Sequence, residues 1–229
     1  MMSCACLIPA RGGSKRLPRK NVADFLGRPI IAYTIDAARA SGLFSRIAVS
    51  TEDHEIARIA RDFKAEWHER PAALAADNAR LIDVCLGFLD DEERAGRRYD
   101  TLGCLLPTAP MRGADDVRAV HDLLESGACE FAMAVTTYDL PPLQALRRIP
   151  DGCLEPMWPE LANLRSQDAP ALYVDNGSTY FAATGALRRE RTFYGPRLRG
   201  HLMPRERSVD IDEPFDLELA RALAQVSRP

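Results

Sequence analysis

Short apolar, β-branched runs alternating with longer segments of helical periodicity predict an α/β protein built on a doubly wound, mostly parallel sheet. Two features strengthen that reading. The N-terminal run Ser3 to Ile8 is short, apolar and closed by Pro9, the pattern of a buried strand. Directly after it comes a loop dense in glycine and cationic side chains, and open α/β sheets bind ligands beyond the carboxyl ends of their strands.

The elements follow in order. Pro29 at a first helical position, a face of Ile30, Ile31, Tyr33, Thr34, Ala37 and Ala38, and Gly42 past the end predict a helix. Arg46 to Thr51 reads as a strand, and Asp53 starts a helix running to about Phe63. Leu81 to Glu93 carries a helical apolar face, Thr101 to Leu106 is a buried strand, Asp115 to Ser126 a helix and Phe131 to Thr137 a strand. From Asp139 to about Ala171 the alternation breaks into mixed polar sequence with Pro141-Pro142, Pro150-Asp151-Gly152 and Trp158-Pro159, which predicts an excursion from the sheet. Ser178 to Ala183 and Arg199 to Met203 resume as strands, and Phe215 to about Val226 closes the chain as a helix. The expectation is one domain over residues 1–229, with 139–171 protruding from it.

With 229 residues and 46% hydrophobic content the chain can bury a substantial core. A formal charge of −3 argues against a general nucleic-acid binder, since phosphate backbones select strongly basic surfaces. The apolar stretch Cys4 to Ala10 is too short for a signal-peptide core and runs into Arg11, and no stretch could span a bilayer. A cytoplasmic protein without membrane partners is expected. The cysteines at 4, 6, 85, 104, 129 and 153 form no C-x-x-C pair and sit mostly in apolar runs, which disfavours disulfides and zinc.

The chemistry concentrates at the two ends of the chain. Residues 8–21 place Gly12, Gly13, Ser14 and the cations Arg11, Lys15, Arg16, Arg19 and Lys20 in one loop, a design for holding phosphates. Glycines at positive φ would turn successive N–H groups toward one anion. A merely solvated basic turn has no need of paired glycines after a buried strand. The loop is neither a P-loop nor a G-x-G-x-x-G dinucleotide signature. Near the other end, Ser208-Val209-Asp210-Ile211-Asp212 reads as a strand whose two carboxylates share a face. Such a pair suits Mg²⁺ or Mn²⁺ beside a polyphosphate, but two solvated acids or a helix cap would give the same pattern.

The loop Ile8 to Asn21 resembles the N-terminal signature of the CMP-sialic acid synthetases, the acylneuraminate cytidylyltransferases, and S-V-D-I-D resembles that family's metal-binding motif. Similarity continues between these ends, through Ser50-Thr51-Glu52-Asp53, Arg70-Pro71-Ala72-Ala73-Leu74-Ala75-Ala76-Asp77, Pro107-Thr108-Ala109-Pro110 with Arg112, Arg165-Ser166-Gln167-Asp168 and Asn176-Gly177-Ser178-Thr179-Tyr180. Leu106 stands where many sialic acid members keep glutamine. Pro142-Leu143-Gln144-Ala145-Leu146 and Trp158-Pro159-Glu160 followed by Arg165-Ser166-Gln167-Asp168 are more similar to the related pseudaminic acid cytidylyltransferases, whereas Asn176-Gly177-Ser178 is more similar to the neuraminate branch.

The resemblance implies a nucleotide-diphospho-sugar transferase type of sheet and transfer of CMP from CTP to a nonulosonic acid, with pyrophosphate released. It implies nucleotide binding by Arg11, Gly13, Ser14, Lys20, Asn21 and Arg70, catalysis by Arg11, Lys20, Asp210, Asp212 and Arg165, and Mg²⁺ (or Mn²⁺) on Asp210 and Asp212. Leu106, Gln167 and Asn176 would meet the sugar acid. A homodimer is also implied, in which the excursion from Asp139 to Ala171 packs on the partner and completes its site. An octulosonate-type cytidylyltransferase and a CTP-binding regulator without turnover are the alternatives.

Overall fold

The computed structural model describes residues 3–140 and 142–226, except the side chain of Ser166. Pro141, part of the predicted excursion, lies outside them. The strands are β1 (Cys4–Pro9), β2 (Asp24–Phe25), β3 (Arg28–Pro29), β4 (Arg46–Thr51), β5 (Glu66–Glu69), β6 (Thr101–Leu105), β7 (Phe131–Thr137), β8 (Leu146–Arg148), β9 (Leu154–Pro156), β10 (Tyr173–Ala183) and β11 (Arg199–Leu202). The helices are α1 (Ile30–Ser41), α2 (His54–Asp62), α3 (Leu81–Arg94), α4 (Ala114–Glu125), α5 (Thr184–Glu190) and α6 (Pro214–Val226). Seven strands form one sheet in the order β11-β7-β10-β6-β1-β4-β5. Pairings of β1 with β4 and β6, of β4 with β5 and of β11 with β7 are parallel; β10 runs antiparallel to both of its neighbours.

β1 sits centrally because both of its faces are apolar. Cys4, Cys6 and Ile8 pack with α1, α2 and α4 on one side, through Ile31, Ile35, Ile56, Val117 and Val120. Ala5 and Leu7 pack with α3 and α5 on the other, through Ile82, Cys85, Phe88, Ala186 and Leu187. That two-sided burial is what a doubly wound sheet requires. Punctuation is local: Gly42 ends α1 at φ 71, and the Asp53 carboxylate caps α2 by accepting from the N–H groups of Glu55 and Ile56. All six cysteines are free, five of them buried.

Four features depart from the sequence reading. β5 was not anticipated: it is a four-residue edge strand, Glu-Trp-His-Glu, with no apolar run to announce it. Nor was α5, which is only seven residues long. β10 begins at Tyr173 rather than Ser178, because its polar first half pairs with β7 across a register irregularity between Asp175 and Tyr180. Residues 208–212 are not a strand; they form a segment without regular secondary structure between β11 and α6. Between β7 and β10 the described residues add nothing to the main sheet and form the separate hairpin β8–β9. Among the described residues no helix is long and apolar enough to cross a membrane.

Candidate active site

The carboxyl ends of β1, β4, β5 and β6 deliver four segments to one edge of the sheet: the cationic loop, Glu52, Arg70 and Leu106 to Thr108. They enclose a cleft of about 260 Å³ whose lining includes Arg11, Ser14, Lys20, Asn21, Arg70, Leu106, Asp210 and Asp212. The structure thus gathers eight of the twelve residues singled out from the sequence. Gly13 sits in the same loop beside Ser14, with nothing near the place a Cβ would occupy.

The loop is shaped differently from the expectation. Neither Gly12 nor Gly13 has positive φ, so a left-handed backbone is not why glycine stands there. Gly12 is needed for close approach, since a Cβ on it would lie 2.6 Å from Asp53 Oδ2. Its N–H donates to Glu52 Oε1 at 2.7 Å and is not free for a phosphate. The buried Asn21 donates from Nδ2 to the Arg11 carbonyl at 2.9 Å and so braces the loop from within. Arg11 and Lys15 both reach Asp77, at 2.6 and 2.5 Å, and these hydrogen bonds hold the Asp77 carboxyl below its ordinary pKa.

Arg70 is the first residue past β5, its N–H bonded to the Thr51 carbonyl at 3.1 Å. Only 6% exposed, it lies across the end of β4, donating to Ser50 Oγ at 3.2 Å and to the Ser50 carbonyl at 2.5 Å. Burial pulls its pKa down, and the nearby Glu52 carboxylate opposes that pull. The Ser50 hydroxyl also meets His68 Nδ1 at 3.0 Å, and His68 Nε2 meets Asp91 at 2.9 Å. A polar chain thus supports the arginine from behind.

Asp210 and Asp212 face the cleft without strand alternation. Ile211 between them is fully buried against Phe25, Ile30, Leu217 and Ala220, and its N–H donates to the Thr108 carbonyl at 2.9 Å. The N–H groups of Asp212 and Glu213 donate to Asp216 at 2.9 and 2.8 Å, at the start of α6. Upstream, Arg207 forks onto the buried Asp116 at 2.5 and 3.0 Å. With the apolar residue pinned inward, both carboxylates turn outward.

Their environments differ. Asp212 accepts from Lys20 Nζ at 2.6 Å and from Arg16 at 2.5 Å; partial burial would raise its pKa, but these cations hold it below the ordinary value. Asp210 is open on its solvent side yet walled by protein elsewhere. Burial against those walls pushes its carboxyl up against the hydrogen bond from Thr108, and the charge of Asp212 adds to the push. Gly177 makes room for it: at φ 66, a Cβ there would lie 2.7 Å from Asp210 Oδ2. Two carboxylates that raise each other's charging cost, beside cations able to hold polyphosphate, are a hard-oxygen donor set that fits a divalent cation.

Three expected sugar-acid or catalytic residues lie outside this cleft. Asn176 is buried, donating to Ser208 Oγ at 3.1 Å and to Met203 Sδ at 3.2 Å, while its carbonyl oxygen accepts from the N–H and hydroxyl of Ser178. Its amide is turned inward, where it ties β10 to the carboxylate-bearing segment. Arg165 and Gln167 are exposed on the excursion; Arg165 pairs with Asp168 at 2.6 Å, and neither lines the cleft of its own chain. Leu106 does line it, at the end of β6, with its N–H on the Ser178 carbonyl at 3.0 Å.

Other residues of the site have no individual role assigned by the sequence. Arg16 and Asp77 are partners of the residues expected to act. Arg112 is a fully buried guanidinium that donates to the carbonyls of Leu106 and Ser178 and to Thr34 Oγ1, riveting β6, β10 and α1 together. The acceptors of its hydrogen bonds are neutral, and burial lowers its pKa to about 10 against the opposing charge of Asp116. The one local signal for it was its place in the Pro107 to Arg112 loop.

An anionic wall facing a cationic one, at the carboxyl edge of a sheet whose strand order turns around β1, is a site of the kind that open α/β sheets use for phosphate-bearing ligands. More narrowly, the chain belongs to the cytidylyltransferase family, whose sequence profile matches residues 5–227. It is 33% identical over 227 residues to a pseudaminic acid cytidylyltransferase of Campylobacter jejuni, covering 99% of this chain and 98% of that one. It is 30% identical to a CMP-N,N'-diacetyllegionaminic acid synthase of Legionella pneumophila, covering 99% and 98%. An N-acylneuraminate cytidylyltransferase of Escherichia coli is 27% identical over 96% of this chain and 51% of its own length. Among solved structures, a CMP:2-keto-3-deoxy-manno-octonic acid synthetase complexed with CTP superposes with a TM-score of 0.73 at 17% identity, covering 99% of this chain and 100% of the other. At that identity the likeness establishes the fold.

Proposed function

We propose that the protein transfers CMP from CTP to the anomeric hydroxyl of a nonulosonic, sialic-acid-like sugar acid and releases pyrophosphate. The observation that carries this reading is the single cleft in which Arg11, Ser14, Lys20 and Arg70 face Asp210 and Asp212. The activities named for the Campylobacter, Legionella and Escherichia relatives support the acceptor class.

Attack by the acceptor hydroxyl oxygen on the α-phosphorus of CTP breaks the bond from that phosphorus to the bridging oxygen, which leaves with pyrophosphate, and the hydroxyl proton is released. Such transfer is mainly positioning and charge neutralisation. Arg11 and Lys20 bind the triphosphate and stabilise charge on the leaving pyrophosphate, with Ser14 and the Gly13 backbone assisting. Arg70 holds the cytidine, and Asn21 keeps Arg11 in place. Asp210 and Asp212 would hold Mg²⁺, or Mn²⁺ in its stead, which when bound supplies further neutralisation between the anionic nucleotide and the anionic sugar acid.

The acceptor is a deoxygenated nonulosonic acid of the pseudaminic type, because Leu106 presents an apolar side chain to the cleft where a glutamine would hydrogen-bond. The working form is a homodimer. Leu146, Leu154, Met157, Trp158 and Leu172 are exposed apolar residues on or beside the excursion 139–171, which supports its packing on a partner subunit. There Arg165 and Gln167 would reach the partner's acceptor. The enzyme works in the cytoplasm, where CTP is made. Pyrophosphate release from CTP, measured across pseudaminic, legionaminic, N-acetylneuraminic and octulosonic acids, tests the reading. Release with a nonulosonic acid is expected. Release with the octulosonic acid alone, or with none of the four, would overturn it in favour of an octulosonate enzyme or a CTP-binding regulator.

A further inference from the structure

The cationic loop poses an electrostatic problem that phosphate alone does not solve. Arg11, Lys15, Arg16, Arg19 and Lys20 crowd into ten residues, and without a nucleotide their mutual repulsion would spread the loop. Both ends of it are instead seated on one short acidic stretch at the end of β4. At the first end the Gly12 N–H donates to Glu52 Oε1 at 2.7 Å, while the missing Gly12 side chain lets Asp53 close to contact. At the second end Arg19, left-handed at φ 58, forks onto Asp53 at 2.5 Å and onto Glu55. Arg19 immediately precedes Lys20 and Asn21, so the anchor sets where those side chains depart.

Glu52 stands apart from the other two acids. Asp53 also caps α2, and Glu55 is an exposed partner of Arg19, so both have ordinary structural reasons to be acidic. Glu52 keeps its second carboxylate oxygen buried without a hydrogen-bond partner, a costly state for a group whose only task is to anchor a loop. Its charge has a second use. Arg11 and Arg70, the groups assigned to phosphate and to cytidine, repel each other, and Glu52 supplies the largest favourable charge acting on the buried Arg70. One carboxylate therefore accepts from the backbone beside Arg11 and offsets the charge of Arg70.

We propose that Glu52 is a positioning residue that clamps the cationic loop through the Gly12 N–H and holds Arg11 and Arg70 side by side, so that the two halves of the nucleotide site are formed before CTP binds. This rests on the reading of the cleft as a CTP site. The test compares the full-length protein with Glu52→Ala and Glu52→Gln, using amide hydrogen exchange at Gly12 without nucleotide, calorimetric binding of CTP, and steady-state KM and kcat.

In Glu52→Ala the Gly12 amide is expected to exchange at least about tenfold faster and CTP to bind about tenfold more weakly, the scale of one hydrogen bond to a charged group. KM for CTP should rise by a similar factor, with kcat changed less. Glutamine can still accept from Gly12 but carries no charge to offset Arg70, so Glu52→Gln should restore amide protection while recovering only part of the affinity. A merely structural role would lower the thermal midpoint of both variants without separating them in exchange or in KM. Unchanged exchange in Glu52→Ala overturns the clamp, as does a Glu52→Gln variant with Gly12 unprotected; the latter result suffices if Glu52→Ala does not fold. If the wild-type protein binds no CTP the functional reading fails, while Gly12 exchange still decides the clamp on its own.

Discussion

Gly177→Ala isolates the seat of Asp210. Gly177 and Gly127 have nearly the same backbone, at φ 66 and φ 68. Alanine in that left-handed region costs about 1–2 kcal/mol at either position. Their surroundings differ: a Cβ at Gly127 meets nothing within 4 Å, whereas at Gly177 it lies 2.7 Å from Asp210 Oδ2 and 3.0 Å from its Cγ. Ordinary contact begins at 3.4 Å, so the carboxylate must retreat by roughly 0.7 Å. Misplacing a catalytic group by about 1 Å costs on the order of 10²-fold. Urea denaturation should therefore show both variants destabilised by about 1–2 kcal/mol. Steady-state pyrophosphate release should separate them, with Gly127→Ala at the wild-type rate and Gly177→Ala down about 10- to 100-fold. Equal rates in the two variants would show that the position of Asp210 does not matter to turnover, and the assignment of that carboxylate would fall.

Three further perturbations bear on other parts of the reading. Asp212→Asn keeps the size of the side chain but weakens the partner of Lys20 and Arg16 and removes a proposed ligand for a divalent cation; turnover should fall at least ~10²-fold with the fold intact by circular dichroism, and near-normal rates in Mg²⁺ would contradict the role. Leu106→Gln puts a hydrogen-bonding amide on the cleft wall and should move acceptor preference toward N-acetylneuraminic acid by about tenfold, measured as a ratio of kcat/KM; a wild-type protein that already prefers that acid would refute the argument. Glu92 is 2% exposed: burial alone would raise its pKa, but hydrogen bonds from Arg97 and Tyr99 outweigh it and hold the carboxyl below its ordinary value. A lowered folded-state pKa contributes stability that is present above the unfolded value near ~4.3 and is lost as pH falls through the folded value. Glu92→Gln should thus be less stable than wild type at pH 7, and the gap should narrow as pH falls below about 4; a gap independent of pH would show that the carboxylate charge plays no part.

Much of the fold was legible in the chain itself, because burial leaves a local trace. Cys4 to Pro9 had to be a central strand once both of its faces were apolar, and Asp53 and Gly42 mark helix ends by the chemistry of their own backbones. The cationic loop was legible for the same reason, as an unusual composition at a predictable place on the sheet. Tertiary structure decided what depends on partners distant in sequence. β5 is too polar to announce itself and exists because β4 offers an unpaired edge, and the antiparallel course of β10 follows from a long detour whose return direction no local pattern encodes. The outward turn of Asp210 and Asp212 comes from Ile211 finding a pocket made by Phe25, Ile30 and Leu217, not from strand alternation. Asn176, read as a sugar ligand, points inward because Ser208 and Met203 meet it there, and the Gly12 N–H is taken by Glu52, forty residues away. A sequence records which side chains seek water or one another; whether a given amide or carboxylate faces the cleft is settled only when the neighbours that satisfy it have been brought into place.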